Sequence, residues 1–165
     1  MAEPIPVTMV NHVAMDMAVA PGIVWRAILD DYVEAKKFRE SGAIEAIDDP
    51  AAVFGGYRMR FEQNGVVDER IVHITERDEA ARRLSAAADY LSVPGGMRVY
   101  ATYHAQEIAG GTRYAIDCHT QLRIDAPAGD IHAGIAATLA EMTAGADTHL
   151  VAYLASIKAR VEEGA

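Results

Sequence analysis

The side chains best suited to chemistry lie on either side of the dipeptide Asn64-Gly65. Both residues tolerate a positive φ, and between two strand-like segments they predict a hairpin with a two-residue turn. That turn places Arg60 directly opposite Glu69. Opposed residues share one face of a sheet, so we predict a cross-strand ion pair between them.

Asp89 adds a second carboxylate if the next hairpin turns near Asp78-Glu79 so that Asp89 lies beside Glu69. In a partly dry pocket, repulsion between two carboxylates raises the pKa of one of them, which provides an acid and a base. Arg60 would then stabilise a developing oxyanion. A solvated surface ion pair, contributing about 0–1 kcal/mol to stability, and a solvent-facing Asp89 remain open as alternatives.

The composition describes one domain of ordinary size over residues 1–165. The chain has 165 residues, 51% of them hydrophobic, and a formal net charge of −9. Nucleic-acid-binding proteins neutralise phosphates with clustered Lys and Arg, so we expect no nucleic-acid partner for this acidic chain. The single cysteine, Cys118, cannot form an intramolecular disulfide, which suits a reducing cytoplasm.

The sequence predicts neither membrane insertion nor a bound metal or cofactor. No window approaches the roughly 18–20 apolar residues of a membrane-spanning helix, and polar residues interrupt the N-terminal segment where a secretory signal needs an apolar run. The histidines show no ligand spacing such as HxH or HExxH, and no glycine-rich phosphate-binding motif occurs. We therefore expect a cytoplasmic protein that works without metal or cofactor.

Hydrophobic periodicity predicts the order of the elements. Alternation over Val7–Val19 predicts a strand, Pro21 opens a short helix that runs through Leu29, and a second short helix follows over Val33–Arg39. Turn signals then separate six strands, predicted over Ala43–Asp48, Gly56–Gln63, Val66–Glu76, Arg82–Leu91, Met97–Ile108 and Thr112–Asp125. Apolar residues in steps of three and four predict a long helix over Ile131–Val161.

Short stretches of the chain resemble a known superfamily. They are Val19-Ala20-Pro21-Gly22-Ile23-Val24-Trp25, Gly55-Gly56-Tyr57-Arg58, Val67-Asp68-Glu69-Arg70-Ile71 and Arg82-Arg83-Leu84-Ser85. The sequence is similar to the START-like or SRPBCC superfamily, and most to its polyketide cyclase/dehydrase branch. The resemblance implies an α+β helix-grip fold, in which a curved antiparallel sheet of about seven strands wraps around a long C-terminal helix and two short helices follow the first strand.

The resemblance also implies which side chains face the enclosed cavity. On the two strands of the first hairpin these are Arg58, Arg60, Glu69, Ile71 and His73. On the last two strands they are Val99, Ala101, Tyr103, Tyr114, Ile116, Cys118, Thr120 and Leu122, and the clean alternation after Tyr114 supports this independently. The apolar face of the long helix adds Met142 and Leu150 as ligand-binding candidates.

The facing of the strand over Gly56–Gln63 stays open. Its alternate residues Tyr57, Met59 and Phe61 form a more apolar face than Arg58 and Arg60 do. A one-residue bulge would exchange the two faces. An apolar face pointing outward would favour a homodimer.

The predicted function is binding of a small hydrophobic molecule, aromatic or polyketide-like. For an enzyme, the resemblance implies cofactor-free cyclisation, aromatisation or dehydration, of the lyase or isomerase type. Glu69 or Asp89 would take a proton, Arg60 would stabilise an enolate, and Tyr103 or His73 would assist. The alternative is a non-catalytic carrier of lipids or other apolar metabolites, in which the polar patch only orients the ligand.

Overall fold

A single antiparallel sheet and three helices make up the fold. The computed structural model describes residues 3–39 and 41–164, with the side chain of Gln63 left aside. The seven strands lie in the order β1-β7-β6-β5-β4-β3-β2. Their bounds are β1 Ile5–Met17, β2 Ala43–Ala46, β3 Gly56–Gln63, β4 Val66–Asp78, β5 Arg83–Tyr90, β6 Met97–Ile108 and β7 Gly111–Ile124. The helices are α1 Pro21–Tyr32, α2 Lys36–Arg39 and α3 Ile131–Glu163.

The predicted fold is confirmed, and the elements begin and end close to their predicted bounds. Helix α1 starts at Pro21, whose missing N–H costs nothing at a first helical position. Helix α3 starts after Asp130, whose side chain accepts a hydrogen bond from the backbone N–H of Ala133. Within the described residues, no helix is long and apolar enough to cross a membrane.

The turn between β3 and β4 has the predicted register. Asn64 and Gly65 adopt φ values of 54° and 75°, as a two-residue hairpin turn requires. Arg60 therefore pairs with Glu69 in the ladder. The predicted register of this hairpin is confirmed. The predicted ion pair between Arg60 and Glu69 is wrong, because Glu69 forms its ion pair with Arg58.

The register between β4 and β5 differs from the predicted one. Asp89 pairs with Ile71 and not with Glu69. The ladder shifts at an irregularity between Ile74 and Glu76, which adds a residue to β4 before the turn. Next to the turn Asp78 already pairs with Arg83, so the chain turns over residues 79–82 and not at Asp78-Glu79 as predicted. The bulge offsets one residue of this difference, and Asp89 ends two positions away from its predicted partner.

The facing of β3 is settled by burial. Tyr57 and Met59 are 4% and 0% exposed, whereas Arg58 and Arg60 are exposed. Phe61, on the same face as Tyr57, packs against the core. Because the apolar face points inward, it gives no support to the predicted homodimer.

Helix α3 packs chiefly against β1, and one buried side chain fixes it there. Asn11 of β1 is 2% exposed and donates from Nδ2 to the Thr143 carbonyl oxygen, at 3.1 Å, and to Asp147 Oδ1, at 2.8 Å. These bonds satisfy a buried amide and hold the helix at one height on the sheet. The space left between α3 and the strands farther from β1 becomes the candidate site.

Candidate functional site

The sheet and all three helices enclose a cavity of about 200 Å³, here called the inner cavity. Most of its wall is apolar or aromatic. The residues around it are Tyr32, Lys37, Phe38, Tyr57, Met59, Arg70, Val72, Ala86, Ala88, Tyr90, Val99, Ala101, Tyr103, Cys118 and Leu150. Short side chains on the two central strands β5 and β6 leave the volume open, because Ala86, Ala88 and Ala101 do not reach the helix.

A second space, here called the outer groove, adjoins the inner cavity. It has a volume of about 470 Å³ and lies between α3 and strands β1, β6 and β7. Val99, Cys118 and Leu150 belong to the walls of both spaces. These three side chains therefore form the boundary between the inner cavity and the outer groove.

Lys37 brings an amine to the wall of the inner cavity. Its Nζ lies 4.1 Å from the ring centroid of Tyr153, 4.2 Å from that of Tyr32 and 4.8 Å from that of Phe38. Nζ donates a hydrogen bond to the Tyr32 hydroxyl at 2.9 Å. Burial lowers the pKa of Lys37 to about 8, so a fraction of the side chain is a neutral amine at neutral pH.

Arg70 places a second cation against the same cavity. Asp68, two residues earlier on β4, holds the guanidinium through Arg70 Nε and Asp68 Oδ1 at 2.8 Å. The guanidinium also lies 4.2 Å from the ring centroid of Tyr90 and 5.3 Å from that of Phe61. These contacts orient the planar group and leave N–H donors for a ligand oxygen.

Tyrosine hydroxyls provide the neutral polar groups of the site. The Tyr57 hydroxyl is buried and has no hydrogen-bond partner among the described residues. Tyr103 stacks on Tyr32 with ring centroids 3.8 Å apart. Burial raises the pKa of Tyr57 and of Tyr103, so both hydroxyls stay protonated and can donate to a ligand.

A buried carboxylate behind the cavity connects α1 to α3. Asp31 is 1% exposed, and its Oδ2 accepts hydrogen bonds from the Tyr153 hydroxyl at 2.8 Å and from Arg160 at 3.1 Å. Tyr153 in turn places its ring beside the Lys37 amine. Asp31 thus positions the aromatic ring that lies against Lys37.

Several residues predicted from the sequence do line these spaces. Val99, Ala101, Tyr103, Cys118 and Leu150 line the inner cavity, and Thr120 and Met142 line the outer groove. Tyr114 is fully buried on the inner face of β7 but lines neither space. That any of them binds a ligand stays a prediction.

The predicted inward placement of Arg58, Arg60, Glu69, Ile71 and His73 is wrong. These residues alternate with the inward side chains of β3 and β4, so they lie on the outer face of the sheet. Glu69 pairs there with Arg58, whose Nε lies 2.7 Å from Glu69 Oε1. The apolar face of β3 determines this orientation. Burial of Tyr57 and Met59 is favourable, and their ladder partners on β4 share the same face of the sheet.

Asp89 also lies on the outer face. Its carboxylate makes two hydrogen bonds with Arg98, at 2.5 and 2.6 Å. The Arg98 hydrogen bond lowers the pKa of Asp89, which is the opposite of the shift predicted for a carboxylate pair. His73 Nε2 lies 3.5 Å from Asp49 Oδ2 on the same side. The predicted acid-base patch therefore does not form in the cavity.

Sequence reasoning missed Lys37 and Arg70 as cavity residues, and it left the inward facing of Tyr57 open. A signal for Arg70 was present, because the confirmed hairpin register makes Met59 its ladder partner. No comparable signal distinguishes Lys37 from the neighbouring Lys36. Ala35, just before α2, adopts a positive φ of 53°, a local feature that the sequence does not reveal.

Solved structures share this architecture over nearly the whole chain. The crystal structure of Ara h 8.0201 aligns with a TM-score of 0.68 at 14% identity, covering 95% of this chain and 99% of that one. This chain has the helix-grip fold. The fold that the resemblance implied is thereby confirmed.

Two other helix-grip structures carry functional names. Norcoclaurine synthase from Thalictrum flavum, in complex with dopamine and hydroxybenzaldehyde, aligns with a TM-score of 0.56 at 15% identity, covering 96% of this chain and 88% of that one. The Zhui aromatase/cyclase from Streptomyces sp. R1128 aligns with a TM-score of 0.57 at 16% identity, covering 94% of each chain. No protein-family model and no curated protein matches the sequence. Identities this low establish the helix-grip fold alone.

Proposed function

We propose that the chain binds a small, largely apolar, aromatic molecule that carries an acidic or carbonyl oxygen, and that it does so in the inner cavity. One observation carries this proposal. The cavity has aromatic and aliphatic walls, two cationic groups from Lys37 and Arg70, and no carboxylate among its lining residues. Such a wall favours a ligand that is apolar over most of its surface and electron-rich at one or two atoms.

The volume of the site suits an aromatic ring. An apolar cavity of about 150 Å³ holds benzene, so about 200 Å³ accommodates one substituted ring. The outer groove provides room for a second ring or a chain beyond Leu150. Burial of the ligand's apolar surface would contribute about 25 cal/mol for each Å² removed from water.

Unpartnered polar groups favour a ligand with an oxygen atom. The buried Tyr57 hydroxyl has no hydrogen-bond partner within residues 3–39 and 41–164, and leaving such a group unsatisfied costs about 1–3 kcal/mol. Lys37 is bonded to the Tyr32 hydroxyl and has no carboxylate within salt-bridge distance among the described side chains. A carboxylate, phenolate or carbonyl oxygen would satisfy the Tyr57 hydroxyl and either cation.

A second candidate is cofactor-free catalysis of cyclisation, aromatisation or dehydration in the same cavity. The lowered pKa of Lys37 favours it, because a proton acceptor works best when its pKa lies near the pH of its surroundings. On this proposal Lys37 takes the proton that the sequence prediction assigned to Glu69 or Asp89, and Arg70 replaces Arg60 as the group that stabilises an enolate. A non-catalytic carrier would bind with the same contacts and release its ligand unchanged.

Binding of two fluorescent probes tests the proposal. 1-Anilinonaphthalene-8-sulfonate is aromatic and anionic, and N-phenyl-1-naphthylamine is its neutral analogue. Arg70→Gln should weaken the anionic probe roughly ten- to a hundredfold, since hydrogen bonds to charged groups contribute about 1.5–3 kcal/mol. The neutral probe should bind unchanged. Arg60→Gln, on the outer face, is the matched control and should affect neither probe.

Filling the cavity gives an independent test. Ala88→Leu adds carbon atoms to the inner wall and should lower the affinity for both probes about tenfold, whereas Ala87→Leu on the outer face should not. Equal affinities in the two variants would place the probes elsewhere and refute the proposal. Native mass spectrometry of the purified protein then identifies the natural ligand, and its release intact or transformed separates the carrier from the enzyme.

A further inference from the structure

We propose that Lys37 is a nucleophile that forms an imine with an aldehyde or ketone bound in the inner cavity. The inference rests on the proposed ligand site and narrows the ligand to carbonyl compounds. Three features support it: a free amine at the cavity wall, aromatic rings around that amine, and a hydroxyl within hydrogen-bond distance of its nitrogen.

The first feature distinguishes Lys37 from the other lysines. The chain has three, at positions 36, 37 and 158. Lys36 lies 3.1 Å from Asp30 and 3.3 Å from Glu34, and its hydrogen bond to Asp30 raises its pKa. Lys158 donates to a backbone carbonyl oxygen and lies 3.8 Å from Glu162. Lys37 alone faces an apolar cavity, which favours the neutral, nucleophilic amine.

The charged and titratable groups that act on Lys37 or contact it come from four elements. They are Asp31 and Tyr32 of α1, Arg70 of β4, Cys118 of β7, and Tyr153 and Arg160 of α3. Arg70 and Arg160 favour the neutral amine, and Asp31 and the Cys118 thiolate would oppose it. Burial raises the pKa of Cys118 to about 11, so near neutral pH its thiol is uncharged and has little influence on the amine.

The aromatic rings stabilise the protonated imine, the cation that forms before the last proton transfer to Tyr32. A protonated imine is a cation, and the rings of Tyr32, Phe38 and Tyr153 lie at cation–π distance from the nitrogen that would carry the charge. Their apolar edges also limit access of the water that would hydrolyse the imine.

The Tyr32 hydroxyl completes the proton balance. The nitrogen lone pair of neutral Lys37 attacks the carbonyl carbon, and the C=O π electrons move to oxygen, which takes a proton from the nitrogen to give a carbinolamine. The hydroxyl of the carbinolamine leaves as water when Tyr32, 2.9 Å from Nζ, donates its proton. The nitrogen lone pair then forms the C=N bond, and the remaining N–H proton returns to the Tyr32 oxygen. No oxidant or reductant is consumed.

Reductive trapping with benzaldehyde and sodium cyanoborohydride tests the inference. Near neutral pH we expect one benzyl group on Lys37, which peptide mapping would locate. Lys37 should be labelled about a hundredfold faster than Lys36. The neutral fraction of an amine changes tenfold with each pKa unit, and this is the origin of the difference. Lys37→Arg should abolish the cavity adduct and Lys36→Arg should leave it unchanged. Equal labelling of the three lysines would overturn the inference.

Benzyl alcohol separates this inference from the proposed ligand site, because it resembles benzaldehyde but forms no imine. If benzyl alcohol and benzaldehyde displace N-phenyl-1-naphthylamine and no Lys37 adduct forms, the ligand site stands and the nucleophile is refuted. If neither compound displaces the probe, the ligand site itself is refuted. Tyr32→Phe should slow trapping about tenfold or more while benzyl alcohol still binds. Unchanged trapping in that variant would remove Tyr32 from the mechanism.

Discussion

Replacing Lys37 with methionine should change how the stability of the protein depends on pH. Burial depresses the pKa of Lys37 in the folded state from 10.5 to about 8. Below about pH 8 both the folded and the unfolded chain hold the proton, and the folded chain bears the full cost of a desolvated ammonium. Between about pH 8 and pH 10.5 only the unfolded chain keeps the Lys37 proton, so the free energy of unfolding of the wild type rises with pH over that interval.

The size of the effect follows from the two pKa values. A shift from 10.5 to about 8 corresponds to about 3 kcal/mol at 1.36 kcal/mol per unit. The amine is only partly removed from solvent, so we expect about 1–3 kcal/mol. Methionine keeps an unbranched apolar chain in the same space without the charge. The variant should therefore be the more stable protein near neutral pH, and its advantage should shrink as the pH approaches 10.

Urea unfolding of both proteins between about pH 6 and 10 measures this difference, and subtracting the two curves cancels every other titrating group. Lys36→Met is the matched control. Hydrogen bonding to Asp30 raises the pKa of Lys36, so protonated Lys36 stabilises the fold at neutral pH. This stabilisation is lost as the pH rises through the pKa of Lys36 in the folded state. A pH-independent difference between wild type and Lys37→Met would refute the assignment of Lys37 to a desolvating environment.

Three further substitutions, two of them with a matched control, test contacts that stabilise the fold. Asp31→Asn should cost about 2–4 kcal/mol of unfolding free energy because it weakens a buried acceptor of two hydrogen bonds, whereas Asp30→Asn should cost less than about 1. Gly111→Ala should destabilise the protein by more than about 2 kcal/mol, because the added Cβ would lie 2.1 Å from a backbone oxygen. Its control, Gly110→Ala, should cost about 1 kcal/mol, because φ there is 82° but no atom obstructs the Cβ. Thr112→Val should cost about 1–2 kcal/mol through loss of its buried hydrogen bond. Chemical denaturation checks all three, and equal losses within a pair would contradict the contacts described.

The sequence predicted the elements well because most strands bury one face and the long helix buries one stripe. Period two and period 3.6 are direct consequences of that burial. The turn at Asn64-Gly65 added the register of one hairpin, since few backbone conformations close a two-residue loop. The turn over residues 79–82 and the bulge between Ile74 and Glu76 left no such local signal, and the predicted register between β4 and β5 was wrong.

The candidate site was predicted less well for a related reason. An alternating strand with charges on both faces, such as Asp68-Glu69-Arg70, does not reveal its inner side by itself. The ladder partners reveal it, because Phe61 and Met59 lie opposite Asp68 and Arg70. Lys37 belongs to a four-residue helix too short for periodicity, so its direction depended on tertiary structure.

The cations of the inner cavity lie inside a molecule whose formal net charge is −9. An anion diffusing toward the protein meets long-range repulsion first and attraction from Lys37 and Arg70 only at contact. Dissolved salt screens the long-range part beyond about 10 Å at 0.1 M and screens buried contacts much less. Encounter with an anionic ligand would therefore become faster in a more concentrated electrolyte, the reverse of electrostatic steering between opposite charges.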